Sequence, residues 1–135
     1  DPGNLGTIIR LADWFAIENI ICSENSVECY NPKVVQSTMG SLSRVNVFYT
    51  DLQTYIEKNK KIPVYATTLS GTSVFKLPKI NEGMILIGNE AKGIHEDLLK
   101  RCAQQITIPR LGHAESLNAA VATGIILSQI DGRFK

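Results

Sequence analysis

An α/β fold, a mostly parallel sheet with helices on both faces, is what this sequence predicts, and three observations predict it. Short apolar runs alternate with stretches of helical spacing, the pattern of parallel strands joined by crossover helices. Gly88 and Gly112 fall where two of those runs should end, at the edge where open α/β sheets take ligands. The closing segment is apolar nearly all round, so it must be covered on more than one side.

Each element follows from a local signal. The chain opens on Asp1-Pro2-Gly3-Asn4, and a first helix is expected over residues 5–15 with Asn4 as its N-cap. Leu5, Ile8, Leu11, Ala12 and Phe15 form the apolar stripe, with Arg10 on the opposite side near Gly6, Asp13 and Trp14. Strands are expected at 19–23, 45–49, 63–67, 84–88 and 105–108. Pro32 starts a second helix, 32–39, at the first turn where proline is tolerated. A third begins at Thr50-Asp51, buries Leu52, Tyr55 and Ile56, and ends in the basic run Lys58-Asn59-Lys60-Lys61. A short fourth covers 95–102. The last, 116–130, carries Leu117, Val121, Ile125, Ile126, Leu127 and Ile130, enough apolar surface to pack on a second copy of the chain as well as on its own sheet. An α/β unit normally places a strand before its first helix, so the first strand is expected to be missing and the chain to be the C-terminal part of a longer protein.

The totals narrow the function classes. A chain of 135 residues with 44% hydrophobic content is long enough for one domain with a real core and too apolar for disorder. A net charge of +1 gives no general attraction to nucleic acid, so any such contact must come from a local patch. Cys22, Cys29 and Cys102 are odd in number and lack a Cys-x-x-Cys pair, which disfavours a disulfide framework or a zinc knuckle. A reducing cytoplasm is the simplest setting. No signal peptide is visible, and the longest uncharged run, 116–130, is shorter than the ~20 residues of a membrane span. His95 and His113 are not spaced with carboxylates or thiols as metal ligands would be, and no metal is expected. Neither a phosphate loop nor a Gly-x-Gly-x-x-Gly turn is present.

Three segments carry chemistry: residues 1–10, residues 87–94 (Ile-Gly-Asn-Glu-Ala-Lys-Gly-Ile) and residues 108–118 (Ile-Pro-Arg-Leu-Gly-His-Ala-Glu-Ser-Leu-Asn). A strand that ends in a glycine turn before a helix offers backbone N–H groups and small side-chain acceptors to a polar ligand. Plain structural roles stand beside that reading. Asn4, Glu90, Ser116 and Asn118 would serve equally as caps contributing about 1 kcal/mol each. Arg10 would serve as a surface residue paired with Asp13 or stacked on Trp14.

Taken together, Asn-x-Gly-x-x-x-Arg-x-x-Asp-x-Phe (Asn4 to Phe15), Gly-x-Glu-x-x-Gly (Gly88 to Gly93) and Ile-Pro-x-x-Gly-x-x-x-Ser-Leu-Asn (Ile108 to Asn118) closely resemble the three motifs of the SpoU-type (TrmH-like) RNA ribose 2′-O-methyltransferases of the SPOUT superfamily. Residues 31–41 resemble that family's second helix, and the likeness covers essentially the whole chain. It implies a C-terminal deep trefoil knot and S-adenosyl-L-methionine held by loops 67–71, 88–90 and 108–118. Thr67, Leu69, Gly88, Asn89, Glu90, Ile108, Leu117 and Asn118 are the cofactor contacts on this reading. The likeness also implies a homodimer with an active site shared between protomers, and an rRNA or tRNA substrate. The motif residues that carry over as the catalytic set are Asn4, Arg10, Glu90, Ser116 and Asn118.

Departures are few: Ala16 replaces a usual glycine, Asp13 a small or polar residue, Gln36 a frequent basic one and Arg110 an apolar one. Methyl transfer to a ribose hydroxyl needs in-line placement, loss of the proton and stabilisation of the developing charge. Arg10 is the residue expected to activate the hydroxyl, as proton acceptor in the family view or as an electrostatic stabiliser. Arg10, Lys33, Arg44, Lys92 and Arg110 are candidate phosphate contacts. The competing readings are a non-catalytic RNA-binding module that keeps the fold and cofactor pocket, and an unrelated nucleotide-binding domain.

Overall fold

The computed structural model describes residues 1–89 and 92–133, which fall into two compact units, Asp1–Leu52 and Gln53–Lys135. The first unit starts with helix α1 (Pro2–Trp14), capped by the Asp1 carboxylate, which accepts from Gly3 N at 2.6 Å. The expected Asn4 cap is therefore corrected. Pro2 has its φ fixed for the first turn and lacks the N–H that a first turn would leave unbonded, so the helix begins ahead of Asn4. The buried stripe also shifts. It runs through Gly6, Ile9 and Ala12, with Ile9 wholly buried, and Ile8 and Leu11 only flank it.

Gly6 explains the shift. A Cβ there would run into Ser37 Cβ and stand 2.7 Å from the Val34 carbonyl, so this glycine is where α1 lies against α2 (Pro32–Thr38). Asn31 caps α2 by accepting from Lys33 N at 2.9 Å, and Met39 ends it in the left-handed conformation. Strands β1 (Asn19–Ser23) and β2 (Asn46–Thr50) pair in parallel, from Asn19 opposite Asn46 to Ser23 opposite Thr50. Ile9, Ala12, Cys29, Val34 and Val45 make this unit's core. Burial pushes the Cys22 thiol up to about 11, and a thiol so raised is an inert packing residue.

Helix α3 (Leu52–Lys58) starts at the last residue of the first unit, and the second unit carries the rest of it with β3 (Val64–Ser73), β4 (Met84–Leu86), α4 (Glu96–Leu99), β5 (Gln104–Thr107) and α5 (Ala119–Ile130). Its three strands pair in parallel in the order β4-β3-β5. The parallel α/β expectation therefore holds, but as a two-stranded and a three-stranded sheet rather than one. Val74, Ile106, Ile126 and Ile130 form the core. α5 starts at Ala119, later than expected, because Asn118 is its cap. Beyond its end the chain is pinned: Ile80 N donates to Ile130 O at 2.7 Å, and Gly132 N to Ile80 O at 2.8 Å. No helix among the described residues is long and apolar enough to cross a membrane.

Candidate active site

In the second unit the parallel pairing sends the carboxyl ends of β3, β4 and β5 to the same edge of the sheet. The segments that follow these strands hold most of the expected cofactor residues. β3 does not end at Thr67 as expected. Thr67 and Thr72 both stand opposite Ile106, so Thr68, Leu69, Ser70 and Gly71 are pushed out as a wide bulge. Gly71 brings the chain back against β5, where a Cβ would lie 2.6 Å from the Gln105 carbonyl oxygen. Thr67 Oγ1 donates to Leu86 O at 3.1 Å and fastens the bulge's first foot to β4. Leu69, at its tip, is 77% exposed.

After β4, Gly88 backs onto Gly93 and Ile94. Asn89 and Gly93 then close a small loop, with Asn89 N donating to Gly93 O at 3.2 Å and Gly93 N to Asn89 O at 2.7 Å. Asn89 Oδ1 also accepts from Lys92 N at 3.1 Å. Glu90, at the tip of that loop in sequence, lies outside the described residues.

After β5, Ile108 packs against the core, and residues 109–118 are exposed throughout. Arg110 Nη1 donates to Ala114 O at 3.0 Å and bends the loop on itself. Leu117 is half exposed. Among the described residues Ser116 makes no hydrogen bond, so the plain reading of it as a cap fails. That reading holds for Asn118, whose Oδ1 accepts from Ala120 N at 2.9 Å and Val121 N at 3.1 Å.

The first unit holds the other two expected catalytic residues, both on α1. Asn4 sits in its first turn, its N–H donating to Asp1 O at 3.1 Å. Arg10 is exposed, and neither plain reading of it survives. The Asp13 carboxylate is taken by Ser41 Oγ at 2.8 Å and by Arg44 Nε and Nη2, each at 2.8 Å. Trp14 is 82% exposed, and among the described residues Arg10 makes no hydrogen bond, ion pair or ring contact. The hydrogen bond from Arg44, then that from Ser41, holds the Asp13 carboxyl below its ordinary value. Arg44, expected as a phosphate contact, thus has its charge offset within the unit.

From sequence, Ser41 counted only as the end of segment 31–41 and Arg44 as a phosphate contact. The available signal was Asp13 itself, an acid in a position where the resembled family has a small or polar residue. His113 is exposed in its loop, while His95 caps α4 by accepting from Asp97 N at 3.1 Å. Among the described residues no cluster of His, Cys, Asp and Glu could hold a metal ion.

The chain is similar to known proteins over nearly its whole length. The profile of the SpoU rRNA Methylase family matches residues 1–128. The 23S rRNA (guanosine(2553)-2′-O)-methyltransferase of Bacillus subtilis is 33% identical over 135 residues, covering 98% of this chain and 54% of its own length. Among solved structures, the AdoMet-bound rRNA methyltransferase from Sinorhizobium meliloti superposes with a TM-score of 0.91 at 32% identity, over 100% of this chain and 53% of that one. The SpoU methyltransferase AviRb from Streptomyces viridochromogenes, in complex with AdoMet, gives 0.87 at 31% identity over 96% and 55%. The chain spans about half the length of the relatives it matches.

Proposed function

This chain belongs to the SpoU rRNA methylase family, and from that premise we propose that it transfers a methyl group from S-adenosyl-L-methionine to a ribose 2′-hydroxyl of structured RNA. The observation that carries the reading is the gathering of the bulge, the Gly88–Asn89 turn and loop 108–118 at one edge of a parallel sheet. Such an edge suits a cofactor with a charged, polar end and a flat aromatic end. Exposed Leu69 and Leu117 and half-buried Ile108 supply apolar surface for the adenine. Backbone groups around Gly88, Asn89 and, by the family motif, Glu90 supply polar partners. When bound, the cofactor provides an electrophilic methyl on a sulfonium.

The chain's own residues do the rest. Arg10 acts on the 2′-oxygen: a guanidinium has donors and no acceptor and so is a poor base, but its donors stabilise negative charge as the hydroxyl proton passes to water. Asn4 and Ser116 orient the ribose through hydrogen bonds, and Asn118 holds the start of α5 so that Leu117 stays against the cofactor. The relatives' names include 23S rRNA methyltransferases and combined tRNA/rRNA methyltransferases, and they lend nothing to a non-catalytic role. The family likeness further supports a C-terminal trefoil knot, a cytoplasmic setting and a homodimer. Half-exposed Leu117 and Val121 near the start of α5 suit cover by a second copy. Residues 1–135 are on this reading the catalytic domain of a longer protein whose remainder supplies much of the RNA recognition.

The test is Arg10→Ala in the full-length protein. Turnover on RNA should fall about 10²–10³-fold, the scale of losing a transition-state donor, while calorimetric binding of S-adenosylhomocysteine stays near wild type. Equal loss of both would make Arg10 a structural residue and remove it from the chemistry.

A further inference from the structure

Helix α1 carries two opposite charges one turn apart. Arg10 and Asp13 stand at i and i+3, the spacing at which a helix pairs an acid with a base. They do not pair. Ser41 Oγ and Arg44 Nε and Nη2 all reach Asp13 Oδ2 at 2.8 Å. These partners open and follow one short 3₁₀ turn, Ser41–Ser43, with Ser41 buried. A charged fork and a buried hydroxyl on one carboxylate oxygen outcompete a flexible neighbour on the same helix, because the turn that supplies them is already ordered by packing. Arg10 is left, among the described residues, without a partner.

We propose that Ser41 and Arg44 are positioning residues for Arg10: by occupying Asp13 they keep the Arg10 guanidinium from folding onto its own helix. An Arg10–Asp13 pair would offset the charge that the 2′-oxygen needs and tie up its donors. The inference rests on the reading of Arg10 given above, and it adds to that reading the device that keeps the side chain available.

The experiment compares Arg44→Ala, Ser41→Ala/Arg44→Ala, Asp13→Ala and Arg44→Ala/Asp13→Ala in the full-length protein, each checked for folding by thermal unfolding. Freeing Asp13 should lower kcat about twofold, because an exposed i,i+3 ion pair is closed roughly half to two-thirds of the time, with KM for S-adenosylmethionine unchanged. The Arg10 Nε–H resonance should shift as the new pair forms. Removing Asp13 as well should restore kcat to the wild-type value, and Asp13→Ala alone should keep it. A folded Arg44→Ala enzyme with wild-type kcat and an unmoved Arg10 resonance would overturn the proposal. So would a loss that Asp13→Ala does not rescue, since Arg44 would then be touching RNA itself. A fully active Arg10→Ala enzyme would instead sink the parent reading, and the Arg10 resonance would still report whether Asp13 captures the side chain.

Discussion

Two helices of this chain carry a motif asparagine at or near their start and use it differently. At α5, Asn118 caps the helix with two backbone hydrogen bonds. At α1, Asp1 and Pro2 start the helix, and Asn4 is already inside it. The presence of Asn118 is thus explained by the fold alone, since asparagine is among the strongest N-caps. Asn4, inside the first turn, is not the cap of α1.

Substitutions sharpen that contrast. The largest effect is expected at Asn4: Asn4→Ala should lower turnover about tenfold or more, the scale of one lost positioning contact, and should cost less stability than loss of the α5 cap. Single-turnover kinetics and chemical denaturation read the two quantities; a stability loss equal to that of Asn118→Ala, with turnover kept, would erase the distinction. Next comes Asn118→Ala, expected to destabilise by about 1 kcal/mol and to weaken cofactor binding by loosening Leu117. Asn118→Asp should recover the stability, because it keeps the accepting oxygen. The smallest effect concerns the exit of α1. Ala16 holds φ at 54°, in the left-handed region that favours glycine, so Ala16→Gly should raise stability by about 1 kcal/mol. Unchanged unfolding would show that the surrounding chain relaxes this strain.

How far the sequence could be read depended on whether the deciding contact was local. β1 was predicted residue for residue, since Asn19–Ser23 is an apolar run with clear ends. The stripe of α1 was set one residue off because Leu5, Ile8, Ile9, Leu11, Ala12 and Phe15 cover a broad arc that periodicity alone cannot resolve. The choice is made by Gly6 meeting α2, a tertiary contact. β3 ran past its predicted end for a similar reason. Thr72 and Ser73 look like loop residues, and it is β5 that makes them strand.

In the candidate site, the three late segments were legible because parallel α/β order fixes the edge where they emerge. The availability of Arg10 was not. It depends on Ser41 and Arg44, 28 and 31 residues away from Asp13, and no window of sequence joins them.

The bulge in β3 has a consequence for how this architecture can diversify. Both of its feet rest on the same residue of the neighbouring strand, Ile106, so the ladder beyond it resumes in step whatever stands between. Leu69 and Ser70 can therefore be exchanged without disturbing the hydrogen-bonded frame. The protein carries an interchangeable fingertip on a fixed hand, and the grip on a ligand can be retuned there while the scaffold's stability is left alone.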